Sequence, residues 1–258
     1  MAGDSNMSEK VHGGLSRERF HLIAQAAPDF YFLQNRQYPR QAALEWVGNR
    51  YGLTRMERQL LLRGVFGQET ALRRRGRRCG GDDWVHGHLV VDGHNVQITV
   101  ESAILGRTLL LGNDGALRDL AGQSARFRVT EASEVAQDWV FGFLGEFRPH
   151  GVLFLFDAPL SHSGLLAEQY RRRLKGMGLR GESRAVPVPE SEIPSGGCVA
   201  ASSDQAVIDA AESWLDLARA SIDHAAALHL DADFTCLLNS RSPETDLLHG
   251  FSDPWFAR

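Results

Sequence analysis

Cysteine is scarce in this chain. Cys79, Cys198 and Cys236 are far apart and odd in number, which excludes a disulfide framework and a CxxC-type zinc site. A reducing cytoplasm is the compartment that fits. No apolar run approaches the roughly 20 residues that a membrane span needs, so no membrane partner is expected. Residues 1–14 are polar and lack the apolar centre of a secretory signal; they are expected to form a disordered tail. P-loop, GxGxxG and zinc-deaminase signatures are missing, as is a GxSxG elbow. Phosphatases of the haloacid dehalogenase type need a second Asp two residues after the first, and here position 94 is His. His86, His88 and His94 have no HxxxH helix or cysteine partner to make a zinc site, and read as loop or surface residues.

What is present is an ordinary globular composition, 43% hydrophobic and 23% charged over 258 residues. That suits one large α/β domain, or a domain with a helical appendage. The net charge of −4 conceals an asymmetry. Residues 1–80 hold 14 Lys/Arg against 7 Asp/Glu, and the remainder 14 against 25. A basic module on an acidic one suggests holding a polyanion and concentrating carboxylates around a cation.

Residues 15–72 read as three short helices. Tyr38-Pro39 breaks the first from the second, because proline disfavours helix in the residue before it. Thr54 with Glu57 three residues on forms a capping box for the third. Three such helices bury little alone, so this module is expected to pack on the rest of the chain. Residues 73–87 read as a basic linker. Arg73, Arg74 and Arg75 lead its cluster, either as a solvated helix end or as a clamp on phosphate oxygens, which arginine binds bidentately.

From residue 88 to 258, apolar strands alternate with helices, which predicts an α/β domain with a mostly parallel sheet covered on both faces. Residues 205–220 read as one helix. Three strands end alike: LVVD at Asp92, LFLFD at Asp157 and VAASSD at Asp204. Ligands of open α/β sheets sit at the carboxyl ends of strands, so parallel strands would gather these carboxylates at one edge. Crowded carboxylates need a compensating cation, and oxygen-only ligands suit Mg2+ or Mn2+. Such ions promote in-line displacement at phosphorus; the deduced chemistry is phosphodiester hydrolysis. Helix N-capping is the alternative for each aspartate.

VVDGHNV at 90–96 resembles the VDGxN opening of NYN/PIN-like ribonucleases, and VAASSDQAVIDAA at 199–211 resembles their later acidic segment. More closely, residues 35–66, 89–122 and FDAPLSHSGLLAEQY at 156–170 resemble a prokaryotic family of unknown function that carries a DUF434 helical domain followed by a DUF5616-type domain. The resemblance covers most of residues 15–220. The PIN/NYN likeness implies a PIN-like, Rossmann-like topology with Asp92, Asp157 and Asp204 as metal-site acids. Asp209 would be a fourth acid or a solvated one, and Asn95 would orient the loop or a phosphate. Nucleic acid, RNA ahead of DNA, is the implied substrate, with homo-oligomerisation left open.

Other candidates follow from position. Glu101, flanked by apolar residues in ITVESAIL, is expected to be partnered, with a role at the metal site. Asp114, after the LLL strand, is a secondary ligand or a turn residue. Ser161 and Ser163 mark a helix start that could hold a phosphate. Arg171, in the 171–175 basic run, is a phosphate contact or part of a solvated face.

Overall fold

Helices come first in this chain, and an α/β alternation follows. A computed structural model describes residues 17–120, 130–160, 162–192, 197–226 and 229–238. In order these form α1 (Arg17–Asn35), α2 (Arg40–Arg50), α3 (Arg55–Gly64), α4 (Gln68–Gly76), β1 (His88–Asp92), α5 (Gly93–Ile104), β2 (Leu109–Leu111), β3 (Leu117–Asp119) and α6 (Glu131–Phe147). There follow β4 (Gly151–Asp157), α7 (Ser163–Gly176), β5 (Gly181–Val186), β6 (Cys198–Ala201), α8 (Gln205–Ala210), β7 (Trp214–Leu215), α9 (Leu217–Ala225) and β8 (Ala232–Asp233). The expected N-terminal tail and residues 239–258 lie outside the described residues.

The fold divides into two compact units. Among the described residues, one comprises the chain as far as Ala71, Leu110–Asp114 and residues 230–238; the other comprises Leu72–Leu109 and the described residues from Gly115 to His229. The division is not the contiguous one expected at residue 72. In the first unit the capping box forms as anticipated. The Thr54 N–H donates to Glu57 Oε2 at 2.6 Å, and the Glu57 N–H donates to Thr54 Oγ1. Arg19 Nε donates to Glu57 Oε1 at 2.6 Å and ties α1 to α3.

The helices then recruit distant chain, because they cannot close a core alone. Leu110 and Leu111 pair in parallel with Ala232 and Asp233 of β8. Asn113 acts as a strand edge for Phe66, taking its N–H at 3.0 Å and donating to its carbonyl at 2.7 Å. Gly64 has no Cβ, and one there would collide with the Phe234 ring.

The second unit holds a five-stranded parallel sheet in the order β5-β4-β1-β6-β7. Alternation along the strands sends Leu89, Val91, Phe154 and Phe156 into a core built with α5, α6, α7 and α9. Val90, Leu155 and Val186 face the other way. There Ala200 packs with Val207, Ile208 and Trp214.

The single helix expected over residues 205–220 is instead α8, β7 and α9. Non-local bonds override the local helical pattern. The Trp214 N–H donates to Arg77 O at 3.0 Å and its carbonyl accepts the Cys79 N–H at 2.7 Å. Asp216 then caps α9, accepting the Arg219 N–H at 3.0 Å. The expected linker at 73–87 is also structured, as the end of α4 and a 3-10 turn at Asp83–His86. No helix among the described residues is long and apolar enough to cross a membrane.

Candidate functional site

Strands β4, β1 and β6 lie side by side and parallel, and the three aspartates follow at their carboxyl ends. Asp92 ends β1 in register with Leu155, so Asp157 ends β4 two residues further on. Val91 is in register with Ala201, and Asp204 comes three residues after that strand end. Numbered by their order along the chain, the five strands run 3-2-1-4-5 across the sheet, and the direction of winding reverses between β1 and β6. Such a reversal opens a crevice at the strand ends in α/β sheets. Asp92, Asn95, Ser202 and Ser203 meet there.

Asp92 caps α5, its Oδ1 accepting the Asn95 N–H at 3.2 Å. Its Oδ2 accepts the Ser202 hydroxyl at 3.0 Å. Ser202 Oγ in turn accepts the Asp204 N–H at 3.0 Å. Asn95 Oδ1 takes both the N–H and the hydroxyl of Ser203, at 2.8 and 3.0 Å; a backbone N–H can only donate, so this atom is the amide oxygen. Asp204 caps α8 through the Ala206 and Val207 N–H groups. Helix capping and a place at the strand-end edge coincide at Asp92 and Asp204. Gly93 allows the tight turn after β1, since a Cβ there would strike the Phe156 ring.

Burial dominates the electrostatics. Desolvation pushes the Asp92 carboxyl up to about 7, against the Asn95 and Ser202 hydrogen bonds, and the charges of Asp157 and Asp204 push it the same way. Asp92 therefore senses both other acids. His94 is fully buried, which corrects its reading as a surface or loop residue. Its Nδ1 accepts the Asp157 N–H at 2.9 Å and lies 3.2 Å from Asp157 Oδ2. It links the turn after β1 to the end of β4.

Glu101 and Asp209 do not join this edge. Glu101 is partnered, as expected, but about 13 Å along the helix axis from Asp92 by the rise of nine residues. Gln97 Nε2 donates to it at 2.7 Å and also to the Ser133 carbonyl, while the Tyr170 hydroxyl donates to Gln97 Oε1. Asp114 is buried, and it is grouped with the first helices. Asp209 is held by arginines: Arg74 Nε and Nη2 donate to its two oxygens at 2.9 and 2.7 Å, and Arg73 Nη2 donates at 3.0 Å. The Arg74 hydrogen bond keeps the Asp209 carboxyl below its usual range.

The cluster read either as a solvated helix end or as a phosphate clamp is thus an internal staple of α4 onto α8. Arg77 also donates to the Asp209 and Ala211 carbonyls, and Arg75 lies against Gly115. Arg171 is taken up by Glu168 and by the Ser183 carbonyl at 2.6 Å. The Ser163 hydroxyl turns back to the Ala158 carbonyl at 3.3 Å, and Ser161 lies outside the described residues. Ser202 and Ser203 were not singled out from sequence, and His94 was assigned to a loop or the surface. The available signal was two hydroxyls directly before a strand-end aspartate and a ring inside the DGxN turn.

A family model described as "Domain of unknown function (DUF5616)" matches residues 82–220, more than half of the chain. The chain belongs to the DUF5616 family. In this DUF5616 protein a second model, "Protein of unknown function (DUF434)", matches residues 22–77. The expected family is borne out. The DUF5616 match spans Asp92, Asp157 and Asp204. The chain is also similar to "Uncharacterized protein MJ0935" of Methanocaldococcus jannaschii, 28% identical over 186 residues, which are 72% of this chain and 88% of that protein. No solved structure matches this DUF5616 protein.

Proposed function

We propose that this protein is a Mg2+- or Mn2+-dependent phosphodiesterase whose substrate is nucleic acid, RNA ahead of DNA. The observation that carries the reading is the delivery of Asp157, Asp92 and Asp204 by three adjacent parallel strands, with Asp92 sensing both other charges. The donors are all hard oxygens, the kind these ions prefer. Among the described residues no group of three or more His, Cys, Asp or Glu side chains could hold a metal by itself. A hydrated Mg2+ does not require one, because it commonly takes one or two carboxylates and completes its shell with water and substrate phosphate.

When bound, the ion would supply charge stabilisation at phosphorus and lower the pKa of an attacking water. Asp92, Asp157 and Asp204 would hold its positive charge at the strand ends. Ser202 and Asn95 fix the Asp92 oxygens and the following turn. His94 holds the Asp157 backbone.

The test is cleavage of labelled single-stranded RNA in Mn2+, with Mn2+ affinity measured in parallel by electron paramagnetic resonance. Asp92→Asn should lose cleavage by at least about 100-fold, the scale of losing a charge-stabilising group, and should bind Mn2+ more weakly while keeping its circular dichroism spectrum. Wild-type cleavage by that variant would sink the mechanism. One observation favours a second reading, a small phosphoester substrate: Arg73, Arg74 and Arg171, expected to grip a polymer, are engaged internally. A polymer substrate gives affinity that falls steeply with salt; a small one gives a shallow dependence.

A further inference from the structure

We propose that Arg118 is a positioning residue for the Asp92 edge, its buried guanidinium fixing the Ser202–Asp204 turn. The assignment rests on the cation-site reading above. Arg118 is 1% exposed, and its Nε–H donates to the Ser203 carbonyl at 2.8 Å. The N–H of that same peptide unit, carried by Asp204, donates to Ser202 Oγ at 3.0 Å. A peptide is a rigid plane whose freedom lies in rotation about its flanking bonds. Gripping its carbonyl and its N–H from opposite ends removes that rotation. The preceding peptide is held as well, by the Ser203 N–H on Asn95 Oδ1 at 2.8 Å.

Rotation of this turn would move the groups that complete the edge: the Ser202 hydroxyl on Asp92 at 3.0 Å, and Asp204 itself. Arg118 can act on the turn because its own strand is anchored on both sides. The Leu117 N–H donates to Asp216 Oδ2 at 2.7 Å, and Thr99 Oγ1 donates to Asp119 Oδ2 at 3.3 Å. β3 is therefore a strut from α9 and α5 to the turn after β6. A planar guanidinium suits the task better than an ammonium, since its donors point in fixed directions and it is less strongly hydrated.

Hydrogen exchange of the full-length chain tests this without relying on activity. In Arg118→Met the Ser203 and Asp204 amides should exchange about tenfold faster, the scale of one charged hydrogen bond, with the amides of β1 and β4 at wild-type rates. Mn2+ should bind about tenfold more weakly, by the same measure. Unchanged exchange in the turn overturns the assignment, and so does equal loosening of turn and sheet. A loosened turn with wild-type Mn2+ affinity overturns it too. If the wild type binds no Mn2+, the cation reading fails by itself and the exchange result still decides the role of Arg118. Should the Met variant not fold, Arg118→Lys decides: faster exchange confined to the turn supports the assignment, and wild-type rates overturn it.

Discussion

Asp92 stands under two opposed demands, burial and charge. Its carboxyl, ordinarily near 3.8, is raised to about 7 chiefly by desolvation. Between those values the folded chain keeps a proton that the unfolded chain releases. The contribution of Asp92 to stability is therefore fully present below pH 3.8 and is lost as pH rises through about 7. In chelator, Asp92→Asn should consequently be more stable than wild type at pH 8, by on the order of 2–4 kcal/mol, and should lose that advantage at pH 4. Thermal melts of both proteins across this range check it; an advantage that does not depend on pH would contradict the burial argument. The proposed cation would relieve this penalty by compensating the buried charge. Asp92 was legible in sequence because an apolar run ended in DG. His94 was not, because nothing local distinguishes a ring that folds back onto the next strand from one that faces water.

At the scale of elements, the run of arginines after α3 shows what local sequence withholds. Arginine suits a phosphate and a carboxylate equally, and only the fold shows that Asp209, 135 residues on, is the partner of Arg74. Two separate expectations, a phosphate clamp and a fourth metal ligand, thus describe the two halves of one ion pair. Asp209→Asn should destabilise the protein by on the order of 1–2 kcal/mol, less than for a fully buried pair because Asp209 is 38% exposed. It should leave Mn2+ affinity unchanged, as chemical denaturation and a metal titration would show; weakened Mn2+ binding would restore Asp209 to the metal site. The misread helix at 205–220 has the same origin. A two-residue strand such as Trp214–Leu215 carries too little periodicity to interrupt a helical pattern, and its pairing comes from residues 77–79 and 198–201.

On the scale of the whole molecule, the α/β sheet and the helical N-terminal region were legible because their signals are local: continuous apolar strands, a capping box, a proline break. The joining of Leu110–Asp114 and β8 to the first helices was not, since it depends on Asn113 supplying backbone-like hydrogen bonds to Phe66. The chain belongs to the DUF5616 family and matches the DUF434 model over residues 22–77, and neither description carries an activity. The functional reading therefore stands on the strand-end aspartates. The most direct test is an anomalous difference map from crystals of the full chain soaked in Mn2+. A peak is expected at the carboxyl ends of β1, β4 and β6, with Asp92 and at least one of Asp157 and Asp204 at about 2.0–2.6 Å, the distance range of hard-cation ligands. A peak elsewhere, or none at that edge at saturating Mn2+, would contradict that reading.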